Sequence, residues 1–178
     1  MNKIKSLCLD LDDSILNLRD PLVAAVNNID SNFDNKSFSE LSINDLLNIP
    51  EIEQILQNAE PFDGTQYVLK YLINHYNLHI VTARGWHPRG ETITKRWFQM
   101  RNIPYTDIRI VPLGKSKLEA ITDLTNIHLA LDDRIENCED LATRADIVLM
   151  MDQPWNRDFI NTDKIIRIHD IKDILKFT

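Results

Sequence analysis

The sequence predicts an α/β fold with a doubly wound parallel sheet and a small helical insert. Short apolar runs alternate with helical patterns from residue 62 onward, and this alternation is typical of βαβ units. The first apolar run, residues 4–11, is apolar on both faces, which suits a central strand of a parallel sheet. Residues 16–61 contain no glycine and carry spaced leucines and isoleucines, which indicates helices.

The first half of the chain is predicted to contain one strand followed by several helices. The pair Asp20-Pro21 marks the start of a helix, because proline is favoured in a first helical turn. Two shorter helical patterns follow at residues 38–47 and 52–59. A low-complexity linker is the alternative for this stretch, and its spaced apolar residues favour a folded insert instead.

The second half is predicted to alternate regularly after a break at residues 61–64. Strands are expected at residues 78–82, 108–111, 128–131, 147–151 and 165–168. Helices are expected at residues 65–74, 91–101, 116–124, 136–144 and 171–177, with Ser116 as the cap of the third. The chain is therefore divided into an α/β core, residues 1–15 and 62–178, and a small helical cap, residues 16–61.

Composition and charge exclude several classes of protein. A chain of 178 residues with 43% hydrophobic and 26% charged residues is expected to form one domain with a real core. A net charge of −7 argues against a stable nucleic-acid complex, which depends on excess Lys and Arg. The isolated Cys8 and Cys138 favour a reducing, cytoplasmic setting. No signal-peptide or membrane-span pattern is present, so no membrane association is expected.

Polar side chains follow four of the predicted strands at the point where each strand ends. In open α/β sheets the ligand binds beyond these carboxyl ends. Each group alone is an ordinary turn or cap residue, but their presence at four strand ends indicates a functional site. The groups are Asp10, Asp12 and Asp13; Thr82 and Arg84; Lys115 and Lys117; and Asp132, Asp133, Arg134 and Asn137.

The crowded carboxylates favour phosphoryl transfer with a metal ion. Two unit charges about 4 Å apart repel by roughly 4 kcal/mol at an effective dielectric near 20, so a cation or a shared proton is needed. Asp10 can accept a phosphoryl group as an aspartyl phosphate, and Asp12 can move protons if the chain turns after Asp10. Mg²⁺ held by the acids, Thr82 on phosphate oxygens and a lysine would complete the site. Asp13 has no chemical task in this scheme.

Four segments resemble the four motifs of the haloacid-dehalogenase-like (HAD) superfamily of phosphohydrolases. They are DLDDS at residues 10–14, HIVTAR ending at Arg84, LGKSKLEAI around Lys115 and Lys117, and LALDDRIEN around Asp132 and Asp133. The resemblance implies that Asp10 is the nucleophile and a metal ligand. It implies that Asp12 is the acid/base, with a backbone carbonyl that reaches the metal. Asp133 is the favoured further ligand, supported by Asp132 and Asn137.

The same resemblance implies a phosphate site formed by Thr82, Arg84 and a lysine. Both Lys117 and Lys115 remain candidates for that lysine, although Lys117 is better placed on the following helix. Ser14 stands where the family usually has Thr or Val, and it keeps a hydroxyl.

A narrower resemblance links the chain to the 5′(3′)-deoxyribonucleotidases, or type C nucleotidases. It is carried by TAR, NIPY, DDR and DQPWNR, at residues 82–84, 102–105, 132–134 and 152–157, and by the cap position. It implies Mg²⁺-dependent hydrolysis of (deoxy)nucleoside 5′-monophosphates. Phe33 and Phe38 are candidates to stack on a base, or ordinary core residues of the cap. The alternatives are a polynucleotide 3′-phosphatase, a phosphatase for another small phosphomonoester, and a non-catalytic binding protein. The sequence does not indicate an oligomeric state.

Overall fold

The structure of the protein is a computed structural model that describes residues 4–29 and 42–178. Its strands are β1 (Ser6–Leu9), β2 (Leu16–Asn17), β3 (Glu60–Pro61), β4 (Asn77–Gly85), β5 (Asp107–Pro112), β6 (Ile127–Asp132), β7 (Ile147–Met151) and β8 (Ile165–Ile168). Its α-helices are α1 (Arg19–Ile29), α2 (Ile43–Leu47), α3 (Ile52–Asn58), α4 (Thr65–Leu72), α5 (Gly90–Arg101), α6 (Lys117–Ala120) and α7 (Ile135–Leu141). Short 3₁₀ helices span Pro154–Asn156 and Ile171–Lys176.

Six strands form a parallel sheet in the order β5-β4-β1-β6-β7-β8. The central position of β1 confirms the prediction from its two apolar faces. Leu9, the last residue of β1, pairs with Ile80 of β4 and with Leu131 of β6. Strand β6 ends one residue later, at Asp132, and β4 continues to Gly85. The residues that follow them are therefore brought to one edge of the sheet.

Helices cover both faces of the sheet, which confirms the doubly wound α/β prediction. Alternation along β1 sends Leu7 and Leu9 into the larger apolar cluster and Cys8 into the smaller one. The larger cluster includes apolar residues of α1, α3, α4 and α5, and the smaller one those of α6 and α7. By the same alternation, Asp10 lies on the same side of the sheet as Cys8.

The insert begins and ends in a two-stranded antiparallel ribbon, in which Leu16 of β2 pairs with Pro61 of β3. This ribbon is not among the predicted elements, because strands of two residues leave no periodic signal in the sequence. Helix α3 packs on α5, where the Trp97 indole donates to the Ala59 carbonyl at 2.7 Å. Leu56 of the insert lies in the same cluster as strand β1. The division into core and cap stays a prediction.

Several predicted boundaries differ from the observed ones. The helix predicted at residues 116–124 ends after Ala120, because the following Thr122, Asp123 and Thr125 are weak helix formers. Ser116 is confirmed as its cap, since its Oγ accepts from the Glu119 N–H. The first strand stops at Leu9, before the predicted residue 11.

Two further predictions concern residues that lie partly or wholly outside the described part of the chain. The pattern at residues 38–47 is described only from residue 42, where α2 begins at Ile43. Phe33 and Phe38 lie outside the described residues. Among the helices in residues 4–29 and 42–178, none has the length and apolar character needed to cross a bilayer.

Candidate active site

A buried lysine joins the acids of the first and fourth strand ends. Lys117, the first residue of α6, has a side chain only 5% exposed. Its Nζ lies 2.5 Å from Oδ1 of Asp10 and 2.7 Å from Oδ2 of Asp132. The other oxygen of Asp10 accepts from the Ser14 hydroxyl at 3.2 Å. Capping of α6 by Ser116 fixes the backbone position from which Lys117 extends.

The two acids after β6 have different surroundings. Both oxygens of Asp132 are occupied, because Oδ1 accepts from the Arg134 N–H and from the Asn137 amide at 3.0 Å, and Oδ2 accepts from the lysine. Asp133 accepts through Oδ2 from the Trp155 indole at 3.0 Å, and its backbone carbonyl accepts from Asn156 at 2.7 Å. Asp132 therefore has more hydrogen-bond partners than Asp133, whose Oδ1 accepts from no described residue.

Three buried carboxylates fit a divalent cation. One oxygen from each of Asp10, Asp132 and Asp133 lies within 4.8 Å of the others. Carboxylate oxygens are the donors that Mg²⁺ and other hard cations prefer, and buried charges require such a partner. The Asp12 side chain is not part of this group. Its predicted contribution through the backbone carbonyl stays a prediction.

The electrostatics of the cluster also favour a cation. Burial raises the pKa of Asp10 to about 6, with Asp132 and Asp12 adding to the rise and Lys117 opposing it. Burial, together with the charges of Asp132 and Asp10, raises the pKa of Asp133 well above its usual range. Burial opposes the charged form of Lys117, but the two carboxylates offset it and raise its pKa. The lysine therefore stays protonated, and the acids carry unfavourable negative charge.

We expect Mg²⁺ to stabilise the protein, and to do so more at neutral than at acidic pH. The pKa of Asp10 rises from 3.8 in the unfolded chain to about 6 in the fold, so its ionisation lowers stability as pH rises through that window. Mg²⁺ competes with these protons and removes the repulsion. An ion concentration of about 100 times Kd would add about 2.7 kcal/mol to the free energy of unfolding.

Thermal unfolding with MgCl₂ or EDTA, at about pH 5 and about pH 7.5, measures this effect. Asp133→Asn should abolish the increment in Tm at the higher pH. Asp163→Asn, in an exposed turn, should retain it. An equal increment at both pH values, or one that survives Asp133→Asn, would contradict the assigned site.

Asp12 faces the cavity but is held by a buried arginine. Arg84 donates through Nε to Oδ2 at 2.9 Å and through Nη2 to Oδ1 at 2.5 Å. The Asp12 side chain is 22% exposed and lines the cavity, whereas the Arg84 side chain is fully buried. Arg84 Nη1 has no hydrogen-bond partner among the described residues. Arg84 thus orients Asp12, and its predicted contact with phosphate stays a prediction.

In the described structure, neither Thr82 nor Lys115 makes a hydrogen bond or an ion pair with the acid cluster. Thr82 is buried, and because it comes two residues after Ile80 in β4 it lies on the same face of the sheet. Its hydroxyl has no hydrogen-bond partner in the described structure. Ala83, not Thr82, lines the cavity. The Lys115 side chain is 57% exposed and pairs with Glu119 at 2.9 Å. Of the two candidate lysines, Lys117 is the one that contacts the acids.

A cavity of about 580 Å³ opens above the cluster. Its floor contains Asp10, Asp133 and Lys117, and its walls are mostly apolar. The insert contributes α1 and α2 to these walls. The apolar wall residues include Leu18, Leu22, Ile43, Leu46, Trp86, Leu113, Ile135 and Trp155, and Lys115, Arg134, Glu136 and Asn137 also line the cavity. The size and the few converging polar groups are typical of a small-molecule site.

Asp13 has a structural task that the sequence analysis does not assign. It adopts a left-handed backbone conformation with φ of 59°. Its Oδ1 accepts from the N–H groups of Leu18 and Arg19, at 3.1 and 2.9 Å. Its backbone carbonyl accepts from the Gln153 side chain at 2.8 Å. Burial raises its pKa to about 7, against the hydrogen bond from Arg19.

Gln153, Trp155 and Asn156 are site residues that the sequence analysis does not assign. They belong to the DQPWNR segment, which follows β7. Because β7 is the neighbour of β6, this segment also lies at the carboxyl edge of the sheet. The rule that ligands bind at that edge could have included them.

Comparison with solved structures identifies the fold. YfnB of Bacillus subtilis, described as a "putative HAD-hydrolase" bound to magnesium, aligns over 98% of both chains with a TM-score of 0.67 and 13% identity. A haloacid-dehalogenase-like hydrolase of Streptococcus pneumoniae aligns over 100% of both chains with a TM-score of 0.64 and 13% identity. The chain has the haloacid-dehalogenase fold. A further structural neighbour is a protein of Clostridium difficile described as a "Putative Phosphatase", with a TM-score of 0.63, 12% identity and 99% of both chains aligned.

A sequence relative outside these structures is a protein of Halalkalibacterium halodurans named "Putative nucleotidase". It is 36% identical over 107 residues, which cover 59% of this chain. The match spans about half of that relative, 52% of its length. No family model matches the chain.

Proposed function

We propose that the protein is a Mg²⁺-dependent phosphomonoester hydrolase with nucleoside 5′-monophosphates, including deoxynucleotides, as substrates. The observation that carries the proposal is the buried group of Asp10, Asp133 and Lys117 at the floor of a cavity with apolar walls. The HAD fold and the name of the Halalkalibacterium relative support the same conclusion. The two buried, free cysteines support a cytoplasmic setting.

In the first half of the reaction a carboxylate oxygen of Asp10 attacks the phosphorus atom. The bond from phosphorus to the ester oxygen breaks, and Asp12 donates its proton to the leaving oxygen. The product on the protein is an aspartyl phosphate. Lys117 neutralises charge on the transferring group, because it lies 2.5 Å from the attacking carboxylate.

In the second half Asp12, now a carboxylate, removes a proton from water as the water oxygen attacks phosphorus. The bond between phosphorus and Asp10 breaks, inorganic phosphate leaves, and both acids return to their starting states. The side chains of Asp10 and Asp133 would hold Mg²⁺, which supplies positive charge next to the phosphate oxygens. Arg84 keeps Asp12 directed at the cavity throughout.

The leaving group is expected to contact the apolar wall. Trp86 and Trp155 offer planar surfaces, and Leu22 and Leu46 come from the insert. Aromatic side chains stack on nucleobases with a sequence-tolerant gain of about 1–3 kcal/mol per base. A sugar phosphate without a base would leave these surfaces in contact with water. This asymmetry between an acidic floor and an apolar wall favours nucleotides over sugar phosphates.

Phosphate release from a substrate panel tests the proposal. The panel contains deoxynucleoside and nucleoside 5′-monophosphates, sugar phosphates, an aryl phosphate and an oligonucleotide with a 3′-phosphate. The highest kcat/KM should belong to the nucleoside 5′-monophosphates, and EDTA should abolish turnover. A preference for the oligonucleotide would establish the polynucleotide 3′-phosphatase alternative instead. If no member of the panel is hydrolysed, the alternative of a non-catalytic binding protein would be favoured.

A further inference from the structure

We propose that Asp13 is a positioning residue that anchors helix α1 to the loop that carries the nucleophile. This rests on the proposed function, because the anchored helix forms part of the wall against which the leaving group would bind. The proposal gives a task to the one acid of the DLDDS segment that the phosphoryl-transfer scheme leaves unused.

The first support for the proposal is the capping of α1 by a distant side chain. The first N–H groups of a helix have no partner within the helix. Asp13 lies five residues before Leu18, and a single oxygen accepts from both Leu18 and Arg19. The Asp13 carboxyl is also at the helix end where the macrodipole favours negative charge. The side chain is buried, so solvent does not compete for these bonds.

The second support is the way in which Asp13 itself is held. Its N–H donates to the Leu16 carbonyl at 2.8 Å, which closes the loop after β1. On the other side the Gln153 amide donates to the Asp13 carbonyl at 2.8 Å. Gln153 precedes Trp155 and Asn156, which contact Asp133. Asp13 thus connects the segment that supports the candidate metal ligand with the helix of the insert.

The third support is the placement of the helix residues that Asp13 fixes. Leu18, the residue before α1, donates its N–H to Asp13 and lines the cavity. Leu22, one turn later in α1, also lines the cavity. Asp10 lies on the cavity floor three residues before Asp13. A loss of the Asp13 bonds would therefore move the wall relative to the nucleophile. Substrates whose leaving group reaches α1 should be affected more than substrates with a small leaving group.

A matched pair of variants separates the anchor from the backbone conformation. Both Asp13→Gly and Asp13→Asn tolerate the left-handed conformation at φ of 59°, but only Asn keeps an oxygen acceptor. Asp13→Gly should raise KM for a nucleoside 5′-monophosphate by about tenfold, in line with the loss of a helix cap. Its kcat/KM for acetyl phosphate, whose small leaving group offers far less surface for contact with α1, should change much less. Asp13→Asn should stay close to wild type with both substrates.

Hydrogen exchange gives a readout that does not depend on activity. In Asp13→Gly the amides of Leu18 and Arg19 should exchange faster, whereas Asp13→Asn should protect them. If nucleotides are not turned over but this exchange pattern is found, the proposed substrate is wrong and the anchor stands. Unchanged exchange in Asp13→Gly would overturn the anchor. Faster exchange with an unchanged KM for a nucleotide that is turned over would overturn the positioning role.

Gln153→Leu keeps the proposal testable if Asp13→Gly does not fold. It removes the donor to the Asp13 carbonyl and leaves the Asp13 carboxyl in place. We expect faster exchange at the same two amides and a smaller rise in KM for nucleotides. Protection equal to that of the wild-type protein would contradict the proposed connection between the β7 edge and α1.

Discussion

An Asp10→Asn variant is expected to lose phosphate release by roughly 10⁴-fold or more, as is found when a catalytic nucleophile is removed. The amide has nearly the shape of the carboxylate but cannot form an aspartyl phosphate. The fold should be kept, because Lys117 retains its ion pair with Asp132 when residue 10 is neutral. Phosphate release under saturating substrate measures the loss, and circular dichroism checks the fold.

Asp163→Asn is the matched control for this variant, because it makes the same change in an exposed turn. It should leave the rate unchanged. Mass spectrometry of acid-quenched reactions should also show one phosphoryl group added to the wild-type protein and none added to Asp10→Asn. Activity within about tenfold of wild type in Asp10→Asn would exclude Asp10 as the nucleophile.

A Lys117→Met variant is expected to lower the free energy of unfolding by about 3–5 kcal/mol without metal, the usual cost of breaking a buried ion pair. The change leaves Asp10 and Asp132 buried without their shared cation. Mg²⁺ should restore part of this stability, because it replaces some of the lost positive charge. We also expect kcat to fall by about 10²–10³, since charge on the transferring group is no longer neutralised.

Lys115→Met provides the comparison, because it makes the same substitution two residues away on an exposed side chain. Its ion pair with Glu119 is open to solvent, so stability should stay close to wild type. Because Lys115 lines the cavity without contacting the acids, kcat should fall much less than in Lys117→Met. Denaturant unfolding with and without Mg²⁺ measures both variants. Equal effects of the two substitutions would contradict the assignment of Lys117 as the lysine of the site.

Strand positions could be predicted because buried parallel strands are continuous apolar runs. The runs at Ile147–Met151 and Ile165–Ile168 coincide with β7 and β8. Prediction was less accurate where an element is too short to show a periodic pattern, or where the sequence does not mark the end of a helix. The ribbon of β2 and β3 has two residues in each strand, and α6 ends before the predicted boundary.

Only the part of the site that lies directly at the strand ends could be predicted from the sequence. Three parallel strands carry their terminal residues to one edge, so the meeting of Asp10 with Asp132 and Asp133 follows from the order of elements. Whether Lys115, which precedes α6, or Lys117, its first residue, reaches the acids depends on the angle at which the start of α6 meets the sheet. Sequence spacing does not contain that angle, and only packing against the sheet sets it.

The sequence by itself determined the residue types of the site, their positions at the strand ends and the α/β class, because these depend on local periodicity and spacing. The tertiary structure alone decided which groups touch. It paired Asp12 with Arg84 across 72 positions, and it joined Asp13 to Gln153 across 140 positions. Such bonds join side chains that come together only after the sheet and the insert have packed. No local sequence pattern indicates these bonds, so the structural role of Asp13 could be inferred only from the tertiary structure.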